Sequence, residues 1–324
     1  MVLSWIKGPG MNVPGTVYDW NGRGVNAGGV TTANIMPGSG NVIGGQTVYV
    51  KFRGDTIEEM LLQTDRTRGG LKMANGENPK RSYTEKKKAP QTRMKIMALQ
   101  REAFVAARNY AARWQAYEDK RKAGDDTAKK PDRDLDMESL NEVLDGKRTV
   151  HFHSHRADDI ASTLRLKEEF GFDLVIQHGT EAFKIGERVA AAGVPVSMTL
   201  VDSPGGKAEA VNMIEEGPRL LHECGVKVLI NTDDMITESR TMLRTAAIAI
   251  RGGLDFDTTL KAITLHAAEA LKLDRRVGSL EPGKDADFVV LSGEPFSIYT
   301  RVLETYIEGE QVFDLADPAD AVYQ

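Results

Sequence analysis

The chain has 324 residues, 41% hydrophobic and 27% charged, ordinary for a globular fold and long enough for two conventional domains or one large α/β barrel with an appendage. A net charge of −5 argues against charge-driven binding to nucleic acid or to an anionic membrane surface. The single cysteine, Cys224, excludes an intrachain disulfide, and no apolar run approaches the roughly 20 residues needed to span a bilayer.

The first 15 residues show neither a long apolar run nor a small-residue cleavage signature, so the default localisation is cytoplasmic. Residues 1–20, with Trp5 and Trp20 among several glycines, do not read as a strand. From Gly29 onward short β-like runs alternate with longer helical stretches, the pattern of βα units and a parallel sheet. Strands are expected at 29–36 (GVTTANIM), 46–52 (QTVYVKF), 71–75 (LKMAN), 149–155 (TVHFHSH), 173–177 (DLVIQ), 194–200 (VPVSMTL) and 227–232 (KVLINT), seven in all.

Between the first two, GSGNVIGG departs from dinucleotide-binding spacing and runs into a strand rather than a helix, so it reads as a loop with tight glycine turns. The basic stretch 80–95 reads as a solvated loop. A long helix is expected over 91–122, with Phe104, Tyr110, Trp114 and Tyr117 packing onto the core, then an exposed charged loop over 123–136. Further helices are expected at 157–170, 181–192, 208–224, 239–251 and 258–273. Cys224, at the end of one of them, reads as a small buried hydrophobe. After Arg275, short β-runs at 288–291, 302–307 and 311–313 alternate with turns such as Glu281-Pro282-Gly283.

Three pieces carry chemistry. HFHSH puts His151, His153 and His155 at alternate positions of one strand, so all three project to one face. QHG places His178 just after the next strand, and NTDD places Asp233 and Asp234 at the end of a later one. Taken singly, His178 reads as a hydrogen-bonded structural histidine and the aspartates as caps of a following helix. Strand C-terminal ends meet at one rim of a parallel barrel, however, and imidazoles plus a carboxylate gathered there suit Zn²⁺, Mn²⁺ or Fe²⁺. Such an ion lowers the pKa of bound water and polarises a carbonyl, while a carboxylate shuttles a proton. His222 and His266, in helical segments, read as structural.

The stretches GGVTTANIMPGSGNVIGGQ, GLKMANGENPKR, HFHSHRADDI, VIQHGTEA, INTDD and RVGSLEPGKDADFVVLSG resemble the amidohydrolase superfamily, close to its imidazolonepropionase-like and prolidase-like branch. The resemblance runs from about residue 28 to 314. It implies an α/β fold: a (β/α)8 TIM-type barrel lacking its first strand over 1–274, then a small C-terminal β-rich segment of a composite β-sandwich over 275–324. It implies His153 as metal ligand on the fifth barrel strand, with His155 or His151 as alternatives. His178 would be the ligand on the sixth strand, helping to polarise the carbonyl, and Asp233 on the eighth would be ligand and general acid/base. Lys72 matches a position where many relatives carry a carbamylated lysine, and Glu77 is the alternative. Arg156 and His155 are the substrate-binding candidates, a guanidinium being suited to a substrate carboxylate.

Relatives also carry a His-x-His pair on a first strand, and no histidine precedes His151 here. The implied activity is hydrolysis of a C–N bond in a small amide, cyclic amide or Xaa-Pro dipeptide by metal-activated water, zinc first among the ions. The alternatives are an impaired or inactive fragment and, on the same scaffold, a deaminase. The partner is a small-molecule substrate, with no nucleic acid or membrane; a homo-oligomer is compatible with the sequence.

Overall fold

A computed structural model describes residues 22–200, 206–234 and 237–324, and for residues 2–7 the course of the backbone. The side chain of Trp5, and Trp20 altogether, lie outside the described residues. One sheet of eight strands runs in chain order from β1 to β8. These are β1 (Val2–Lys7), β2 (Thr32–Met36), β3 (Ile43–Lys51), β4 (Gly70–Ala74), β5 (Thr149–Ser154), β6 (Leu174–His178), β7 (Val196–Thr199) and β8 (Val228–Asn231).

All seven expected strands are present as β2 to β8. The reading of residues 1–20 is corrected, because β1 pairs in parallel with β2 and its backbone also comes alongside β8. VLSWIK is short and largely apolar in sequence, and the glycine-rich stretch after it masked that pattern. The all-parallel expectation is corrected as well: β3 runs antiparallel to both β2 and β4. Residues 37–42 are too few for the crossover of a dozen or more residues that parallel pairing requires. From β4 to β8 every pairing is parallel.

The outward row of this sheet is apolar. Met73, Phe152, Ile176, Val196 and Val228 lie side by side in register and pack in one core with Leu164, Val189, Leu221 and Ala246 from the surrounding helices. The helix Ala157–Phe170 has the expected bounds, and the long helix is Arg93–Lys122. On the latter, Phe104 is sandwiched between Phe170 and Phe172 at centroid distances of 5.1 and 5.0 Å, while Trp114 and Tyr117 remain half-exposed.

Other helices are shorter than expected. Residues 208–224 hold only a 3₁₀ turn, Ala208–Ala210, and the helix Gly217–Glu223; residues 258–273 divide into Phe256–Ala262 and Leu265–Ala270. Conversely, part of the basic stretch is helical, within Glu77–Glu85, and the charged loop ends early in the helix Leu135–Leu144, capped by Asp134. A second sheet of three antiparallel strands, β9 (Phe288–Leu291), β10 (Val302–Ile307) and β11 (Glu310–Asp314), packs Val302 and Phe313 against Ala27. Among the described residues no helix is long and apolar enough to cross a membrane.

Candidate metal centre

Alternation along β5 sends Phe152 to the helix layer and His151 and His153 into the barrel. His151 is fully buried one level below the rim, with Tyr49 Oη 3.2 Å from its Nε2 and Gln177 Nε2 3.3 Å from its Nδ1. Burial, reinforced by the charge of Lys72, pulls its pKa down to about 3, so the ring is neutral. His151 is therefore part of the barrel's polar filling, below the group that gathers at the rim.

That group is His153, His155 and His178. One ring nitrogen of each lies within 4.8 Å of the others, and all three residues are buried. His178 arrives by an unusual backbone. Its register partner is Ser154, whose hydroxyl hydrogen-bonds Asn75 on the helix side, yet the His178 ring stacks on His155 at 4.7 Å. A φ of 71° at His178 makes the difference, turning the side chain inward at the strand's end. Asp233, just past β8, has a φ of 49° and is also buried. Left-handed non-glycine residues at two strand ends are the kind of strain that accumulates at working sites.

Hydrogen bonding fixes the tautomers. Lys207 Nζ sits 2.8 Å from His155 Nε2 and can only donate, so Nε2 presents its lone pair and Nδ1–H faces Thr180 Oγ1 at 2.7 Å. His178 Nδ1 lies 3.4 Å from Thr199 Oγ1, while its buried Nε2 makes no hydrogen bond in the structure. Burial first, then the neighbouring His153, His155, Lys207 and Lys72, hold the His178 pKa well below the usual imidazole range. The Nε2 lone pairs of His155 and His178 fit a first-row divalent ion, as do the second-sphere partners Thr180 and Thr199 on their distal nitrogens.

Glu209, which the sequence reading did not single out, joins this group. Its side chain is 1% exposed, and Oε1 lies 3.5 Å from His153 Nε2 and 4.0 Å from His155 Nε2. Oε2 accepts the Glu77 backbone N–H at 2.8 Å. Gly76, at φ 83°, makes room for it: a Cβ there would fall 2.4 Å from Oε2. Two polar residues, Lys207 and Glu209, in the segment after a strand's C-terminal end were the available signal.

The remaining candidates are placed as follows. Asp233 is not one of the group within 4.8 Å. Lys72, on β4, is fully buried beside His151 in register. Glu77 is half-buried and accepts the Glu209 backbone N–H at 3.2 Å. Arg156 is half-exposed at the start of the helix Ala157–Phe170 and pairs with Asp158 at 2.8 Å.

Comparison with known proteins gives a consistent picture. The pattern described as Amidohydrolase family matches residues 27–317. The crystal structure of an amidohydrolase from Thermotoga maritima MSB8 superposes with a TM-score of 0.86 at 35% identity, over 96% of this chain and 86% of that one. The amidohydrolase tasK of Hapsidospora irregularis is 29% identical over 306 residues, 90% of this chain; the chain spans 31% of that relative's length. A 65-residue stretch is 42% identical to N-acetylglucosamine-6-phosphate deacetylase from Bos taurus, covering 20% of this chain and 15% of that protein.

Proposed function

Because the chain belongs to the amidohydrolase family, we propose that it is a metal-dependent hydrolase of a C–N bond in a small amide, cyclic amide or Xaa-Pro dipeptide. The observation behind this reading is the meeting of His153, His155 and His178 at the rim of a barrel-like sheet, buried and within 4.8 Å of one another. His153, His178 and Asp233 are the proposed ligands, with Lys72 favoured over Glu77 as a further one. Lys72 is buried and acts electrostatically on His178, whereas the Glu77 carboxylate is engaged by the Glu209 backbone. Zinc suits a set rich in imidazole; Mn²⁺ and Fe²⁺ are accepted by the same donors.

A bound ion supplies Lewis acidity and makes a coordinated water nucleophilic near neutral pH. The chain's own residues do the rest. Asp233 takes the proton from the attacking water on a carboxylate oxygen and returns it to the leaving nitrogen. His178 would contribute to polarising the carbonyl by holding the ion through its Nε2 lone pair. His155, the alternative ligand beside His153, stands on the substrate's side of the ion, and Arg156 exchanges Asp158 for a substrate carboxylate, a change that half-exposure permits.

The test is Asp233→Asn. Asparagine tolerates the left-handed backbone at this position, so the fold stays intact. With Zn²⁺ or Mn²⁺ and a panel of small amides, turnover should fall about 10²–10⁴-fold at an unchanged melting temperature. Activity that survives the substitution ends the proposed mechanism.

A further inference from the structure

The segment after β7 places an amine among atoms suited to a metal. Lys207 Nζ lies 2.8 Å from His155 Nε2, 3.5 Å from His153 Nε2 and 3.0 Å from Glu209 Oε1. Two imidazole lone pairs and a carboxylate oxygen form a donor set that a divalent first-row ion uses more fully than an ammonium, which matches it only by hydrogen bonds. Glu209 is built into this position. Its Oε2 is held by the Glu77 N–H at 2.8 Å, with Arg93 Nη2 3.5 Å away, and Gly76 leaves the space, so Oε1 is aimed at the histidines. A carboxylate buried this deeply requires a positive partner. Lys207, whose side chain keeps 25% exposure, has a way out to solvent.

We propose that Glu209 is a further metal ligand, and that Lys207 is a built-in cation holding the ion's place until the ion displaces it. Metal entry then exchanges the ammonium for the ion between Glu209 Oε1 and the Nε2 atoms of His153 and His155, and turns the lysine out to water. The proposal rests on reading the histidine cluster as a metal centre.

Two measurements on the full chain, stripped with chelator, test it. In the first, lysines are acetylated with an N-hydroxysuccinimide ester with and without saturating Zn²⁺, and modification of Lys207 is read by peptide mass spectrometry. Metal should raise Lys207 modification several-fold, because the amine is released. A bystander near a metal site is shielded or unaffected, and either result overturns the proposal.

In the second, Zn²⁺ is titrated calorimetrically. Lys207→Met should bind about 10-fold more tightly than wild type, and Glu209→Gln about 10–100-fold more weakly. If Glu209→Gln fails to fold, Lys207→Met and the acetylation result decide. Wild type that takes up no metal removes the metal centre itself and this proposal with it. Where wild type binds metal, unchanged affinity in Lys207→Met overturns the lysine's role, and unchanged affinity in a folded Glu209→Gln overturns the glutamate's. The histidine metal centre is left standing in either case.

Discussion

Thr199 Oγ1 stands 3.4 Å from His178 Nδ1 and gives its own proton to Asn231 Oδ1 at 2.6 Å. Asn231 donates in turn from Nδ2 to Ser197 Oγ. A hydroxyl has one proton, so toward His178 the Thr199 oxygen can only accept, which fixes hydrogen on Nδ1 and leaves the Nε2 lone pair facing the cluster. Thr199→Val keeps the shape and removes the acceptor. Metal affinity should drop about 10–100-fold while the melting temperature of the metal-free protein changes little. Thr199→Ser should retain most of the affinity. Calorimetric titration measures both, and wild-type affinity in the valine variant would remove this role.

The last residue of β3 is an ion-pair hub. Lys51, with a side chain 1% exposed, reaches Asp285 at 2.7 Å, Asp287 at 3.0 Å and Glu308 at 3.2 Å. It thereby ties the large sheet to the segment carrying β9, β10 and β11. Lys51→Met leaves the buried Asp287 carboxylate without this cation, and losing one member of a buried ion pair costs about 3–5 kcal/mol. Urea denaturation of the metal-free protein should show a loss of that order. A midpoint equal to wild type would show that the network adds nothing to stability.

The seven strands β2 to β8 were legible because each is an apolar run of ordinary strand length with turn signals nearby. His153 and His178 stood out because histidine is scarce in this chain and both sit at strand ends. Glu209 and Lys207 were not legible. A Lys and a Glu beyond a strand look like solvated loop charges, and only the return of the chain beside Gly76 and β5 gives them meaning. Thr199 and Asn231 were hidden for a related reason: their hydrogen bond spans two strands, and its existence depends on register between β7 and β8. The orientation of β3 could have been deduced, since a six-residue link cannot make a crossover.

His266 offers a pH signature removed from the histidine cluster. Its Nδ1 lies 3.1 Å from the Val228 carbonyl oxygen, where the helix Leu265–Ala270 packs on β8. Partial burial is the largest influence on the ring and depresses its pKa. The Val228 carbonyl and Glu269 oppose that shift, while Lys227 and Lys261 add to it. With the folded-state pKa below the unfolded value of about 6.5, the unfolded chain binds more protons as the medium turns acidic. The stabilisation from keeping His266 neutral is therefore complete above about pH 6.5 and is lost as pH falls through the folded-state value. Urea midpoints measured in chelator at pH 7.5, 6.5, 5.5 and 5.0 should decline toward acid in wild type and decline less steeply in His266→Gln. The comparison cancels titrations common to both proteins, so equal slopes would mean that His266 titrates alike in the folded and unfolded chains.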